Sequence, residues 1–66
     1  MTFSITLKNL RNENSLTQKQ LGDILGISQE AIRGWENQGK EPSFEILCKI
    51  AKVFNVTVGQ LLGVED

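Results

Sequence analysis

The stretch LGISQEAIRGWENQGKEP, residues 25–42, reads as one short helix between two breaks. Gly26 and Ser28 stand before it, and Gly39 and Pro42 follow it. On a helix of about 3.6 residues per turn, Gln29, Glu30, Arg33, Gly34 and Asn37 fall at i, i+1, i+4, i+5 and i+8. They share one face, and every residue there is polar or glycine. Ala31, Ile32, Trp35 and Glu36 share the other. Two questions decide the reading: what the bare polar face is for, and what tolerates Glu36 beside Ile32 and Trp35. A carboxylate in that position is costly unless it is paired.

Working outward, the first segment supplies a partner. Phe3, Leu7, Leu10 and Arg11 recur at steps of three and four, the mark of one helix face. Arg11 stands beside Leu7 and Leu10 as Glu36 stands beside Ile32 and Trp35. Arginine meets a carboxylate with two parallel hydrogen bonds, so Arg11 and Glu36 are expected to pair and fix the third helix against the first. The competing possibility is that both are solvated at the rim.

The remaining segments announce themselves by their caps. Thr17-x-x-Gln20 and Thr57-x-x-Gln60 are capping boxes, Ser28 and Ser43 are N-cap residues, and Gly26 suits a left-handed helix end. Helices are expected at about 3–13, 18–25, 29–37, 44–54 and 58–62. The apolar stripes are Leu21, Ile24 and Leu25 in the second helix, and Phe44, Leu47, Cys48, Ile50, Ala51 and Phe54 in the fourth. Leu61 and Leu62 are the apolar residues of the fifth. No second strand is available to pair with NVTV, so residues 1–66 read as a single all-α domain, a compact five-helix bundle. Gly22 lies inside the second helix, where glycine costs about 1 kcal/mol against alanine. Its presence points to close approach by another backbone. Two short helices, a glycine turn and a tight crossing make a helix-turn-helix.

Bulk properties exclude several classes. A chain of 66 residues buries only about 60% of its unfolded surface, leaving little room for an enclosed catalytic pocket. There is no histidine and one cysteine; Cys48 reads as a buried, inert thiol, and Trp35 as core rather than a stacking platform. Neither a metal site nor a cofactor is expected, and no nucleophile–base pair suggests an enzyme. With no signal peptide and no apolar run near the roughly 18 residues of a membrane span, a reduced, cytoplasmic domain without membrane contact is expected. Net charge is −1, an objection to nucleic-acid binding. Glu65 and Asp66 account for two of the eight acidic groups, so residues 1–64 carry seven basic and six acidic groups, net +1. Any such contact must rest on placement rather than bulk charge.

The run from LTQKQLGDILGISQEAIRGWENQGKEPS to LCKIAKVFNVTVGQLLG resembles the Cro/phage-repressor (XRE) family of helix-turn-helix proteins. The resemblance covers about Leu7 to Gly63. Leu-Arg in the first helix, LTQ, the Gly-Ile-Ser turn, Ile32, Trp35-Glu36-Asn37, the Pro42-Ser43 cap and the Val-Thr-Val into Leu-Leu ending occur in order. It implies a lambda-repressor-like five-helix domain that binds double-stranded operator DNA, usually as a two-fold dimer, with helix 29–37 entering the major groove. It places Gln29, Glu30, Arg33 and Gly34 at base edges. Gln18 matches a phosphate-contacting and bracing position, and Asn37 and Lys40 lie near the backbone. Arg11 and Glu36 match a pair that forms a buried salt bridge in some members. Four departures stand out, one of them the acidic Glu30 on a face that must approach phosphates. Gly22 replaces the usual alanine, Gly34 stands where many relatives carry a long polar side chain, and the NQGKEP connection is insertion-like.

These roles have a chemical basis. Helix N-termini, including that at Ser28, attract anions without formal charge, and Lys19 adds a cation at the second. Gln29 suits adenine N6/N7 and Arg33 suits guanine O6/N7, unless Arg33 is spent on Glu30 or Asn37 within the helix. Glu30 is able to accept from cytosine N4 or equally to repel phosphates. Val56, Val58 and Leu61 are more apolar than a small monomer should expose, which with Gln60 marks a dimer surface; otherwise the valines pack inward and the chain is monomeric. No effector domain is expected after the fifth helix, and no small-molecule ligand. The rival reading is a protein-interaction module of the same fold, an antitoxin or adaptor, favoured by Glu30 and the low charge.

Overall fold

In a computed structural model that describes residues 2–65, five helices follow in order: α1 (Thr2–Glu13), α2 (Gln18–Leu25), α3 (Gln29–Asn37), α4 (Phe44–Phe54) and α5 (Val58–Leu62). The expected boundaries hold to within a residue because each helix end is set locally. Thr17 and Thr57 close full capping boxes with Gln20 and Gln60. Ser28 and Ser43 each accept from the backbone amide three residues on, Ala31 and Ile46. Four helices end alike, with an amide reaching back five residues around a left-handed residue. Leu16 bonds Arg11 O past Ser15, Ile27 bonds Gly22 O past Gly26, Val56 bonds Ala51 O past Asn55, and Val64 bonds Gly59 O past Gly63. These bonds satisfy carbonyls that a helix terminus leaves open.

Phe3, Leu7, Leu21, Leu25, Ile32, Trp35, Ile50, Ala51 and Leu61 form the core, with contributions from all five helices. α3 packs on α1 and α2; α5 packs on α1 and α4. Gly22 is where α2 meets the turn into α3. A methyl group built there would lie 2.5 Å from Ile27 O and 3.5 Å from Gln29 N. The glycine admits the backbone approach that its sequence position suggested.

Three apolar expectations fail, for a common reason. Ile24 is 54% exposed and Phe44 71% exposed, and Cys48 is half-exposed rather than buried. In α2 the buried arc is Leu21, Gly22 and Leu25, drawn toward Gly22 by the crossing of α3, so Ile24 is left on the far edge. In α4 the buried arc centres on Ile50 and Ala51, which puts Phe44 and Cys48 on the flank. Periodicity finds a stripe, but the neighbouring helix chooses which edge is covered. Among the described residues no helix is long and apolar enough to cross a membrane.

Candidate nucleic-acid interface

α3 divides sharply. On its packed side, Glu36 has a fully buried side chain and accepts from two other side chains. Arg11 Nε reaches Oε2 at 2.8 Å, Arg11 Nη2 reaches Oε1 at 2.9 Å, and Gln18 Nε2 reaches Oε1 at 3.3 Å. The third guanidinium nitrogen, Nη1, donates to Leu16 O at 2.7 Å. This explains the carboxylate in the core: its desolvation is offset by a two-pronged charge-assisted bond. The hydrogen bond to Glu36, helped by its charge, raises the Arg11 pKa beyond the already high value of a free guanidinium, against the opposing effect of burial. Among the described residues no buried side-chain nitrogen or oxygen lacks a partner. α1, the start of α2 and α3 are thus tied at one point, and Ser4 Oγ adds a bond to Trp35 O at 2.7 Å.

The other side is open. Gln29, Glu30, Arg33 and Asn37 are exposed. Among the described residues Gln29, Glu30 and Arg33 make no side-chain hydrogen bond or ion pair. The expected alternative, Arg33 spent on Glu30 or Asn37, is not what the structure shows. Asn37 Oδ1 instead accepts from Lys8 Nζ of α1 at 3.3 Å, a cation that the sequence reading overlooked. The available signal was its position one turn before Arg11: once Arg11 docks on Glu36, Lys8 comes close to the end of α3.

The remaining candidate residues fall out as follows. Ser28 Oγ accepts from Ala31 N at 3.2 Å, leaving the earlier amides of α3 directed out of the helix start. Gln18 braces Glu36 as described. Lys19 lies 3.3 Å from Asp23, with both side chains largely exposed, so its charge is locally offset. Gly34 is corrected: it is buried, not a gap on the open face. The stem of Lys40 and the amide of Gln38 cover it, 3.1 Å and 3.7 Å from where its Cβ would stand.

The C-terminal surface also differs from expectation. Leu61 is fully buried and belongs to the core, so it is unavailable to a second chain. Gln60 Oε1 is occupied by Thr57 N at 2.9 Å. Val56 and Val58 are half-buried against the core, whereas Val53, Leu62 and Val64 are exposed. A five-residue helix on a small core must turn one residue wholly inward, and Leu61 is that residue.

Comparison with known proteins gives one consistent answer. A family model described as helix-turn-helix matches residues 7–61. The chain is 41% identical over 66 residues to the HTH-type transcriptional activator BcrR of Enterococcus faecalis, covering all of this chain and 32% of the relative. It is 37% identical over 60 residues to the uncharacterized HTH-type transcriptional regulator MJ0272 of Methanocaldococcus jannaschii, covering 91% of each. The chain spans about half the length of several other curated relatives it matches. Among solved structures, the P22 c2 repressor in complex with a synthetic operator superposes with a TM-score of 0.89 at 26% identity, over 98% of both chains. Five helices, the Gly22 crossing, the Arg11–Glu36 tie and a match over most of its length place this chain in the helix-turn-helix family of Cro/phage-repressor (XRE) type.

Proposed function

We propose that the chain is a sequence-specific double-stranded DNA-binding transcriptional regulator of the repressor kind, with α3 inserted in the major groove and no catalytic role. The observation that carries this reading is the contrast on α3. Gln29 and Arg33 are long, exposed and without partners among the described residues, yet they stand on a helix locked from behind by Glu36. The backbone beneath them is already ordered, so meeting base edges costs the freedom of the side chains alone. Gln29 pairs with adenine N6/N7 and Arg33 with guanine O6/N7, while Glu30 selects cytosine N4 or excludes other bases. The amides behind Ser28, with Gln18, Lys8, Asn37 and Lys40, hold phosphates. That the P22 c2 repressor was solved on an operator supports the same surface in this chain.

One nine-residue helix reads too few base pairs for an operator, so the active form is an isologous dimer with its α3 helices about 34 Å apart on successive major grooves. Its contact is the ridge of Val58 and Leu62, four residues apart on α5, with Val56 beside it. Sequences selected from a random duplex pool should converge on a two-fold repeat, and binding to random DNA should weaken steeply with salt. Convergence on nothing, with negligible duplex affinity, would overturn the proposal in favour of a protein-binding module. Sedimentation with the selected site tests the dimer: wild type should bind two to a site, and Val58→Lys one.

A further inference from the structure

α3 ends differently from the other four helices. Its last turn closes with Gln38 N on Gly34 O at 3.0 Å, and the chain then swings through left-handed Gly39. Lys40 N returns to the same carbonyl at 3.2 Å. This bond reaches back six residues where the others reach five. The extra residue of the NQGKEP connection is therefore taken up in a wider loop, and the loop carries Lys40 back over α3. There its side chain lies along Gly34, with Lys40 Cδ 3.1 Å and Cβ 3.8 Å from the position of the absent Gly34 Cβ. The Lys40 stem is the nearest cover of buried Gly34, with the Gln38 side chain beside it, while Lys40 itself remains exposed.

From this geometry we infer that Gly34 is a positioning residue for Lys40. The missing side chain at 34 is the seat of the Lys40 stem, so that the ammonium is presented as part of the α3 surface. Two anchors hold it, the backbone bond to Gly34 O and the packed stem. A lysine on a free loop would lose far more side-chain order on meeting a phosphate. The seat explains a glycine at an exposed-looking helix position where alanine would raise helix propensity. It also supplies a held cation to a chain of net charge −1. The functional half of the inference rests on the DNA-binding reading above.

The test uses the full chain with Gly34→Ala, Gly34→Gln, Lys40→Ala and the double variant Gly34→Gln/Lys40→Ala. In the free protein, NMR relaxation of the Lys40 side-chain methylenes should show them restrained relative to those of exposed Lys49. Gly34→Gln should release them, and Gly34→Ala should do so in part, since a methyl displaces a flexible stem only slightly. On random duplex DNA, Lys40→Ala should lower the log–log salt slope by about one. Gly34→Gln, which changes no charge, should lower it by the same amount, with no further loss in the double variant. Lys40 as mobile as Lys49 in wild type, or an unchanged slope in Gly34→Gln beside a lowered one in Lys40→Ala, would overturn the inference. Absence of all duplex binding overturns the DNA reading and the role assigned here; the relaxation data separate that result from failure of the seat alone.

Discussion

The two faces of α3 carry the same kinds of side chain in opposite circumstances. Glu36 and Glu30 are both glutamates on one helix. Glu36 is buried and accepts from Arg11 and Gln18; Glu30 is exposed and engages nothing among the described residues. Arg11 spends all three guanidinium nitrogens inside the domain, on Glu36 and Leu16 O, and Arg33 spends none among the described residues. A charge that satisfies the fold is unavailable to a partner, and a charge left unsatisfied on a rigid support is available. The division also separates stability from binding, since each face can be altered alone.

The strongest way to break this comparison is to remove one partner of the buried pair. Glu36→Ala strands the Arg11 guanidinium and should cost about 3–5 kcal/mol, much of the total stability of a small domain. Arg11→Met with Glu36→Leu should be far milder than Arg11→Met or Glu36→Leu alone, which with wild type complete a double-mutant cycle. Urea unfolding of the four proteins measures the coupling, and additive single effects would show that the pair is not a unit.

On the open face the effect moves from folding to recognition. Gln29→Ala and Arg33→Ala should each change stability by less than about 0.5 kcal/mol. Each should forfeit about 1–3 kcal/mol of discrimination at one base position. Competition binding with single-base variants of the selected site is the measurement; uniform weakening across all bases would mean that α3 does not read sequence.

Gly22→Ala tests whether the faces share a support. The new methyl group meets Ile27 O, a backbone atom that cannot swing aside, at 2.5 Å. Overpacking of about 1–3 kcal/mol should outweigh the roughly 1 kcal/mol gained in helix propensity. Because α3 must shift to make room, unfolding midpoint and DNA affinity should fall together. A variant more stable than wild type would show that the crossing is looser than the structure has it.

The smallest effect belongs to the exposed ion pair. Lys19 and Asp23 are 3.3 Å apart at i and i+4, with side chains 71% and 68% exposed. Lysine also precedes the acid, the less favourable order on a helix. Asp23→Asn should shift stability by no more than about 0.5 kcal/mol, well below the Glu36 effect for a pair of equal formal charge. A thermal melt at low and high salt would check this, and a large loss would blur the contrast between buried and solvated pairs.

The sequence alone set the helix limits, because caps are local: a threonine or serine hydroxyl and an amide three residues on settle where α2, α3, α4 and α5 start. It also determined the Arg11–Glu36 tie and the tight crossing at Gly22, since a carboxylate among apolar neighbours and a mid-helix glycine each admit few explanations. Of the candidate interface, Gln29 and Arg33 were legible as an exposed polar strip. Helix packing chose which edge of an apolar stripe is covered, turning Leu61 inward and Phe44 and Ile24 outward. Tertiary structure alone brought Lys8 to Asn37 and laid Lys40 over Gly34. Those placements depend on how helices cross and how wide a loop closes, and side-chain periodicity within one segment holds no information about either.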